Sequence, residues 1–176
     1  MGSASYHVAR FDSPVGEMTL VAGDAGLRSV VWPNERPGRV APLPGPVFAA
    51  RHPVLDAALV QLRQYFAGQR QTFELPLDLV GTAFQRSAWL ALADIPYGET
   101  VSYGEQARRL GRPTAVRAVG AANGRNPIAV ILPCHTVIGG DGSLTGYAGG
   151  LDIKSALLDH ERGSGQAPLT GLAPRP

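Results

Sequence analysis

The beginning of the chain alternates apolar-rich runs with short polar turns. Three such runs, Tyr6–Phe11, Glu17–Ala22 and Leu27–Trp32, are rich in aliphatic, aromatic and β-branched residues. Residues 12–16 and 23–26 separate them and contain the aspartates, glycines and proline that favour turns. Short strands bounded by such turns are typical of an antiparallel meander. The pattern therefore predicts three antiparallel strands in sequence.

A loop and then a helix are predicted next. Five prolines fall within residues 33–46, which disfavours a helix or a strand there. An apolar stripe with helical spacing follows, formed by Leu55, Leu59, Leu62 and Phe66. Pro53 suits the first turn of that helix, and Gly68 suits its end. Residues 71–80 have an extended pattern, and Gly81 marks the predicted boundary between two domains.

The second half predicts four helices. Apolar spacing over residues 84–92 gives the first, and residues 151–161 give the last. Between them, Ser102 and Glu105 have the spacing of a capping box, which marks a helix start. A Gly/Pro break ends that helix, and a further helix is predicted over residues 114–123. Two short helices joined in this way fit a helix-turn-helix, and a plain helical hairpin fits the same pattern.

The only cysteine follows the most apolar run of the chain. Residues 128–132 are five consecutive apolar residues and predict a buried strand, which Pro133 ends. Cys134 and His135 come directly afterwards. A thiol is a weak nucleophile until a neighbouring base or positive charge lowers its pKa from about 8.5. The Cys-His pair fits such an activated nucleophile, and an inert buried cysteine is the alternative interpretation.

Composition narrows the class of protein. The 176 residues suffice for one large domain or two small ones. Because no run reaches the roughly 20 apolar residues of a membrane helix and no apolar leader is present, we expect a cytoplasmic protein. A single cysteine excludes an internal disulfide and a cysteine-rich zinc site. We expect no metal and no cofactor, since metal-ligand spacing is lacking among His7, His52, His135 and His160.

Charge is concentrated in one segment. The net charge is only +2, so the molecule as a whole is not a polycation. Between Glu105 and Arg125, however, a single acidic residue is outnumbered by the arginines Arg108, Arg109, Arg112, Arg117 and Arg125. Such a local excess suits contacts with phosphates, and a solvated helix face is the alternative.

Five short motifs lie in order between residues 95 and 135. They are Ile95–Thr100 (IPYGET), Ser102-Tyr103, Arg117–Gly120 (RAVG), Asn126-Pro127 and Pro133-Cys134-His135. In this order and spacing they resemble the O6-alkylguanine-DNA alkyltransferases. The resemblance is most specific from Phe84 to Glu161 and continues more weakly through the N-terminal half.

The resemblance implies an α+β fold in two parts. A small ribonuclease-H-like N-terminal domain would occupy residues 1–80. A mainly helical C-terminal domain with the helix-turn-helix and the active site would occupy residues 81–165. The Gly/Pro-rich tail, residues 166–176, is expected to be disordered.

The same resemblance implies a single-use DNA repair reaction. Such proteins rotate an O6-alkylguanine out of double-stranded DNA and transfer the alkyl group irreversibly to a cysteine, here Cys134. His135 would take the thiol proton through a bound water, and Glu161 would orient the imidazole. Tyr103 would assist the departure of guanine, and Asn126 would brace the backbone near the active-site turn.

Other implied roles concern the base pocket and the DNA. Tyr147 and Ala148, in a glycine-rich loop, would line the pocket. The second helix of the helix-turn-helix would enter the minor groove, where Arg117 would fill the space left by the flipped nucleotide. Its neighbours at the groove would be Ala115, Val116, Ala118 and Gly120. The expected phosphate contacts are Arg109, Arg112 and Arg125.

Three positions depart from the family pattern. Thr136 replaces an arginine after the Cys-His pair. An arginine there would make structural ion pairs, so we expect either that its loss is compensated elsewhere or that it loosens the active-site strand. Val116 replaces an alanine beside Arg117 and adds bulk where the helix meets the groove. Ala148 stands where a small polar residue or glycine is more common.

The expected protein is a monomer that acts on double-stranded DNA carrying O6-alkylguanine, without a membrane or an obligate protein partner. Cooperative assembly along the DNA and the preferred alkyl group are left open. One alternative is a related lesion-binding protein that recruits other repair factors without transfer, but members of that group lack the cysteine. A transcriptional regulator is a third hypothesis, which the lack of a ligand-sensing domain disfavours.

Overall fold

The three apolar runs at the start of the chain form an antiparallel sheet, as predicted. In the computed structural model, β1 (Tyr6–Ser13), β2 (Gly16–Gly23) and β3 (Gly26–Val31) pair in sequence. A short strand, β4 (Val47–Phe48), joins β1 in parallel, so the sheet order is β3-β2-β1-β4. The pattern does not predict β4, because its two residues are exposed and directly follow the proline-rich loop.

The predicted apolar stripe becomes helix α1 (Pro53–Phe66), which packs against this sheet. His52 caps the helix, since the Val54 N–H donates to His52 Nδ1 over 3.2 Å. Leu55 and Leu62 are buried in the same core as the strand residues. The spacing of apolar residues thus places one face of α1 on the sheet.

Four helices follow, as predicted. Helices α3 and α4 are joined by residues 110–115 and pack against each other, and α2 contacts both. A parallel pair of two-residue strands, β5 (Val101–Ser102) and β6 (Val137–Ile138), lies beside them. The helices are α2 (Ala83–Leu92), α3 (Tyr103–Arg109), α4 (Val116–Gly124) and α5 (Leu151–Arg162).

The predicted capping box at α3 is only half formed. The Glu105 N–H donates to the Ser102 hydroxyl over 3.0 Å, so Ser102 caps the helix. The Glu105 carboxylate instead pairs with Arg108 and Arg109, one turn further along. Charge-assisted pairs at this spacing compete successfully with the return bond of the box.

The predicted strand over residues 128–132 is wrong. These residues are buried, but they form a turn in which Val130 has a φ of 68°. Ile128 contributes an isolated β-bridge to Val30. Five consecutive apolar residues fit any buried backbone, so their pattern alone does not distinguish a strand from a turn.

The N-terminal and C-terminal halves share one hydrophobic core. Leu27 and Val30 of β3 belong to the same buried cluster as Trp89 of α2 and Leu157 of α5. Val30 also links the halves through its backbone, because its N–H donates to Pro127 O over 2.8 Å. The sheet is therefore packed directly beneath the segment that carries the cysteine.

The structure describes residues 4–163. No helix within this range is long and apolar enough to cross a membrane. The tail expected to be disordered, residues 166–176, lies outside the described residues.

Candidate active site

The cysteine is held by a buried turn. Cys134 begins a short 3-10 helix, Cys134–Thr136. Before it, the Asn126 amide donates to Leu132 O over 2.8 Å, and its oxygen accepts from the Ile128 N–H over 3.0 Å. Val130 lies between Ile128 and Leu132 in the chain and has a positive φ. This backbone conformation costs a β-branched residue about 1–3 kcal/mol. Asn126 is buried, so its two bonds stabilise this strained turn directly ahead of the thiol.

His135, next to the thiol, pairs with Glu161 of α5. His135 Nε2 lies 2.9 Å from Glu161 Oε1, and both side chains are buried. Burial raises the pKa of Glu161, but hydrogen bonds led by that from His135 outweigh it, so the pKa is below its usual value. A carboxylate only accepts hydrogen bonds, so Nε2 carries the proton and Nδ1 keeps its lone pair. Nδ1 bonds to no other described residue and can therefore accept a proton.

Cys134 lines a cavity of about 120 Å³. Tyr103 of α3 and Tyr147 of the glycine-rich loop line the same cavity. The Tyr103 hydroxyl donates to Thr145 O over 3.2 Å, which ties α3 to that loop. Aromatic walls with a few polar groups suit a planar base. The cavity is completed by Arg36, Gly120, Asn123, Gly124, Gly146 and Ala148.

The thiol does not have the lowered pKa that the Cys-His pair suggests. Burial raises the pKa of Cys134, and this effect outweighs the Asn126 amide and the charges of Lys154 and Arg39, which act in the opposite direction. The sulfur therefore keeps its proton at neutral pH until a base removes it. The free Nδ1 of the neighbouring imidazole is suited to that task.

Lys154 is a buried cation that the sequence reasoning missed. Its ammonium donates to Val137 O over 2.6 Å and to Thr145 O over 2.8 Å. A signal was present: Lys154 is the only lysine of the chain, and it has helical spacing with Leu157 and Glu161 on the buried face of α5. It joins the glycine-rich loop to the segment that follows the cysteine.

Arg39 is a second unpredicted cation. Its guanidinium pairs with Glu35 and donates to Asn126 O over 2.8 Å and to Gly124 O over 3.2 Å. These bonds satisfy carbonyl groups at the end of α4. Because Arg39 lies in the irregular proline-rich loop, no periodic pattern points to it.

Helix α1 also reaches the site. The Tyr65 hydroxyl donates to Glu161 Oε1 over 2.9 Å, and His160 Nε2 lies 2.7 Å from Tyr65 O. The sequence alone predicts no functional role for Tyr65 or His160. Tyr65 and Glu161 are 96 residues apart in the chain, so their contact exists only in the folded molecule.

Helix α4 has one exposed face and one face towards the cavity. Val116, Arg117 and Ala118 are exposed, whereas Ala115 and Gly120 are half-buried. The Arg117 guanidinium has no hydrogen-bond or ion-pair partner within residues 4–163. The exposed face, with this unpaired arginine, is therefore available to a ligand.

The arginines expected at phosphates have different surroundings. Arg109 pairs with Glu105 over 3.0 Å. Arg125 donates to Gly38 O over 3.3 Å. Arg112 is exposed in the turn between α3 and α4.

Thr136 is buried, and its hydroxyl donates to Pro133 O over 2.6 Å. This bond connects the last residue of the 3-10 helix to the residue directly before it. The residue that replaces the family's arginine thus stabilises the cysteine segment locally.

Comparison with known proteins agrees with this geometry. Residues 6–79 and 83–163 match the ribonuclease-like and DNA binding domains of 6-O-methylguanine DNA methyltransferase. A methylated-DNA–protein-cysteine methyltransferase of Mycobacterium bovis is 46% identical, over 93% of this chain and 97% of its own. One from Methanosarcina acetivorans is 47% identical, over 88% and 97%.

Solved structures show similarity to the same family. The crystal structure of Mycobacterium tuberculosis OGT in complex with DNA has a TM-score of 0.76 and 47% sequence identity, and the match covers 93% of this chain and 95% of that one. The predicted two-part α+β fold and the predicted resemblance are thereby confirmed. The chain belongs to the 6-O-methylguanine DNA methyltransferase family.

Proposed function

We propose that the protein repairs O6-alkylguanine in double-stranded DNA by moving the alkyl group, once and irreversibly, to Cys134. One observation carries this proposal: Cys134 lines the same cavity as Tyr103 and Tyr147, and the next residue is paired with a buried acid. A nucleophile, a base and an acid that orients the base are thus together. The relatives named as methylated-DNA–protein-cysteine methyltransferases support the same chemistry.

The reaction begins with the removal of the thiol proton. His135 Nδ1 takes up that proton through a bound water, and Glu161 stabilises the imidazolium that forms. A sulfur lone pair then attacks the alkyl carbon, so a sulfur–carbon bond forms and the carbon–O6 bond breaks. The electron pair of the broken bond stays on guanine, which is protonated with the help of the Tyr103 hydroxyl. The net change moves the alkyl group to sulfur and the thiol proton to guanine.

Single use follows from the product. A thioether has no acidic proton, so His135 has nothing to accept and a second transfer to the same sulfur does not begin. Each protein molecule therefore repairs one lesion. This reaction needs no cofactor, because the nucleophile, base and acid all belong to the chain.

The DNA would bind along the exposed face of α4. Arg117 would fill the space of the flipped nucleotide, beside Ala115, Val116, Ala118 and Gly120 at the minor groove. The relative solved as a complex with DNA supports DNA as the partner. We propose a monomer, since one chain supplies every group of the site. Residues 1–80 would be the support and residues 81–165 the DNA-binding part, as the two matched domains suggest. The proposed location is the cytoplasm.

Intact-mass measurement tests the proposal. The protein is incubated with a duplex that contains one O6-methylguanine, and we expect a gain of one methyl group that maps to the Cys134 peptide. Cys134→Ala should bind the duplex without any gain of mass. Binding by the unaltered protein without a gain of mass would instead support the lesion-binding alternative. A methyl group on another residue would contradict the assignment of Cys134.

A further inference from the structure

Tyr65 connects the N-terminal sheet region to the acid that supports His135. It lies near the end of α1 and is 1% exposed. Its hydroxyl donates to Glu161 Oε1 over 2.9 Å, and its backbone oxygen lies 2.7 Å from His160 Nε2. One residue of α1 therefore holds two consecutive residues of α5.

The contact is specific to one oxygen of the acid. Glu161 Oε1 receives both Tyr65 OH and His135 Nε2, each over 2.9 Å. Glu161 Oε2 has no hydrogen-bond partner within the described residues. Two donors on one oxygen leave the carboxylate little freedom to rotate, so its direction towards the imidazole is fixed from the α1 side.

The phenol itself is held firmly. The Tyr65 ring packs against four other rings at centroid distances of 5.0–6.2 Å. A buried, multiply packed ring keeps one orientation, so the hydroxyl remains aimed at the acid. The four rings belong to Phe66, Phe73, Tyr97 and His160.

We infer that Tyr65 is a positioning residue for alkyl transfer: through Glu161 it fixes the imidazole that deprotonates Cys134. The inference rests on the proposed function, because it assigns to α1 a part in the same reaction. The N-terminal half then contributes to the chemistry as well as to the fold.

The Tyr65 hydroxyl also affects the pH dependence of alkyl transfer, because it acts on the pKa of Glu161. Burial raises the pKa of Glu161, and the hydrogen bonds from His135 and Tyr65 are among the effects that leave it lowered. Without the phenol, the pKa of Glu161 is higher, so its carboxylate takes up a proton at a higher pH and no longer stabilises the imidazolium that forms on His135. The groups that face Glu161 are His135 of the 3-10 turn, Tyr65 of α1, His160 of α5, Tyr97 before β5 and Tyr147 of the glycine-rich loop.

The test uses Tyr65→Phe in the full chain, which removes the hydroxyl and keeps the ring. Single-turnover methyl transfer from an O6-methylguanine duplex is followed by intact mass between pH 5 and 9. We expect transfer about tenfold slower at pH 7, the size expected for one lost hydrogen bond to a charged group. The acidic limb of the rate profile should also move to higher pH. Tyr6→Phe is the matched control, because Tyr6 is also buried, its hydroxyl bonds to no described residue and it is not among the groups that face Glu161.

Several results would overturn the inference. An unchanged rate and profile for Tyr65→Phe would do so, as would equal slowing in Tyr6→Phe. Slowing by the same factor at every pH, with a lower midpoint of thermal unfolding, would indicate a structural role only. If the unaltered protein gains no methyl group at all, the proposed function fails instead, so the two failures are distinguishable.

Discussion

The reactivity of Cys134 depends on a balance between burial and nearby positive charge. Burial raises the pKa of the thiol, whereas the Asn126 amide and the Lys154 and Arg39 charges oppose that effect. A thiol that keeps its proton at neutral pH reacts only slowly with oxidants and alkylating agents in solution. Its nucleophilicity appears when His135 removes the proton, so reactivity is coupled to the geometry of the site.

Lys154→Met should make the thiol harder to ionise. The substitution removes a positive charge that lowers the Cys134 pKa, so that pKa rises further. Alkylation of Cys134 by iodoacetamide at pH 7 should be slower, and the pH at which alkylation reaches half of its maximal rate should be higher. Arg162→Met, which removes an exposed charge from the same helix, is the control. Equal rates for Lys154→Met and the unaltered protein would show that the ammonium does not act on the sulfur.

Asn126→Ala should destabilise the protein by about 1–3 kcal/mol, because it leaves the buried Ile128 N–H without a partner and removes one of the two donors to Leu132 O. Denaturant unfolding measures this change. Asn34→Ala, at an exposed position, should change the free energy of unfolding by less than about 0.5 kcal/mol. If both variants are equally stable, Asn126 does not hold the active-site turn.

At the scale of elements, α4 combines a solvent face with a cavity face. Gly120 lies close to Tyr103, since a Cβ at that position would be 3.8 Å from its ring. Arg117, three residues earlier, is exposed and without a partner among the described residues. A helix so placed can contact DNA on one side and the extruded base on the other.

Arg117→Ala should therefore slow repair of a duplex far more than reaction with a free alkylated base. Only the duplex requires extrusion, which costs a few kcal/mol that the inserted side chain offsets. We expect at least a tenfold loss of rate with an O6-methylguanine duplex and less than about twofold with free O6-benzylguanine. Arg63→Ala, an exposed arginine of α1, should affect neither substrate. Equal slowing on both substrates would mean that Arg117 has no part in extrusion.

Periodic patterns predict the elements that have a repeating face. The three long strands follow from apolar runs between turn residues, α1 and α2 follow from helical spacing, and α3 follows from its capping signal and the Gly/Pro break after it. The turn at residues 128–132 does not, because an unbroken apolar run has no period. Its shape depends on Asn126, whose two bonds become visible only when the backbone path is known. The short strand β4 was missed for a similar reason, since two exposed residues carry no pattern.

At the scale of the whole molecule, the two halves are packed into one core. Val30 bonds to Pro127 and lies in the same cluster as Trp89, and Tyr65 bonds to Glu161. Domains with a large shared apolar core unfold together. We therefore predict one calorimetric transition, with equal calorimetric and van't Hoff enthalpies. Two resolved transitions would show that the halves unfold independently.

Contacts across the halves also limit what the sequence can reveal about the site. Cys134 and His135 are adjacent in the chain, and the resemblance supplies Glu161. Tyr65 comes from α1 and Arg39 from an irregular loop, so neither shares a motif with the cysteine. Lys154 could have been found, because the only lysine of the chain has helical spacing with Leu157 and Glu161 on the last predicted helix.

The stoichiometry of repair shows whether Cys134 is the acceptor of the alkyl group. A known amount of protein is mixed with an excess of O6-methylguanine duplex, and the restored guanine is counted against the S-methylcysteine found at position 134. We expect one guanine restored and one methylated Cys134 for each active molecule, with no further repair on longer incubation. Repair that continues beyond one lesion per molecule, or restored guanine without methylation of Cys134, would contradict this expectation.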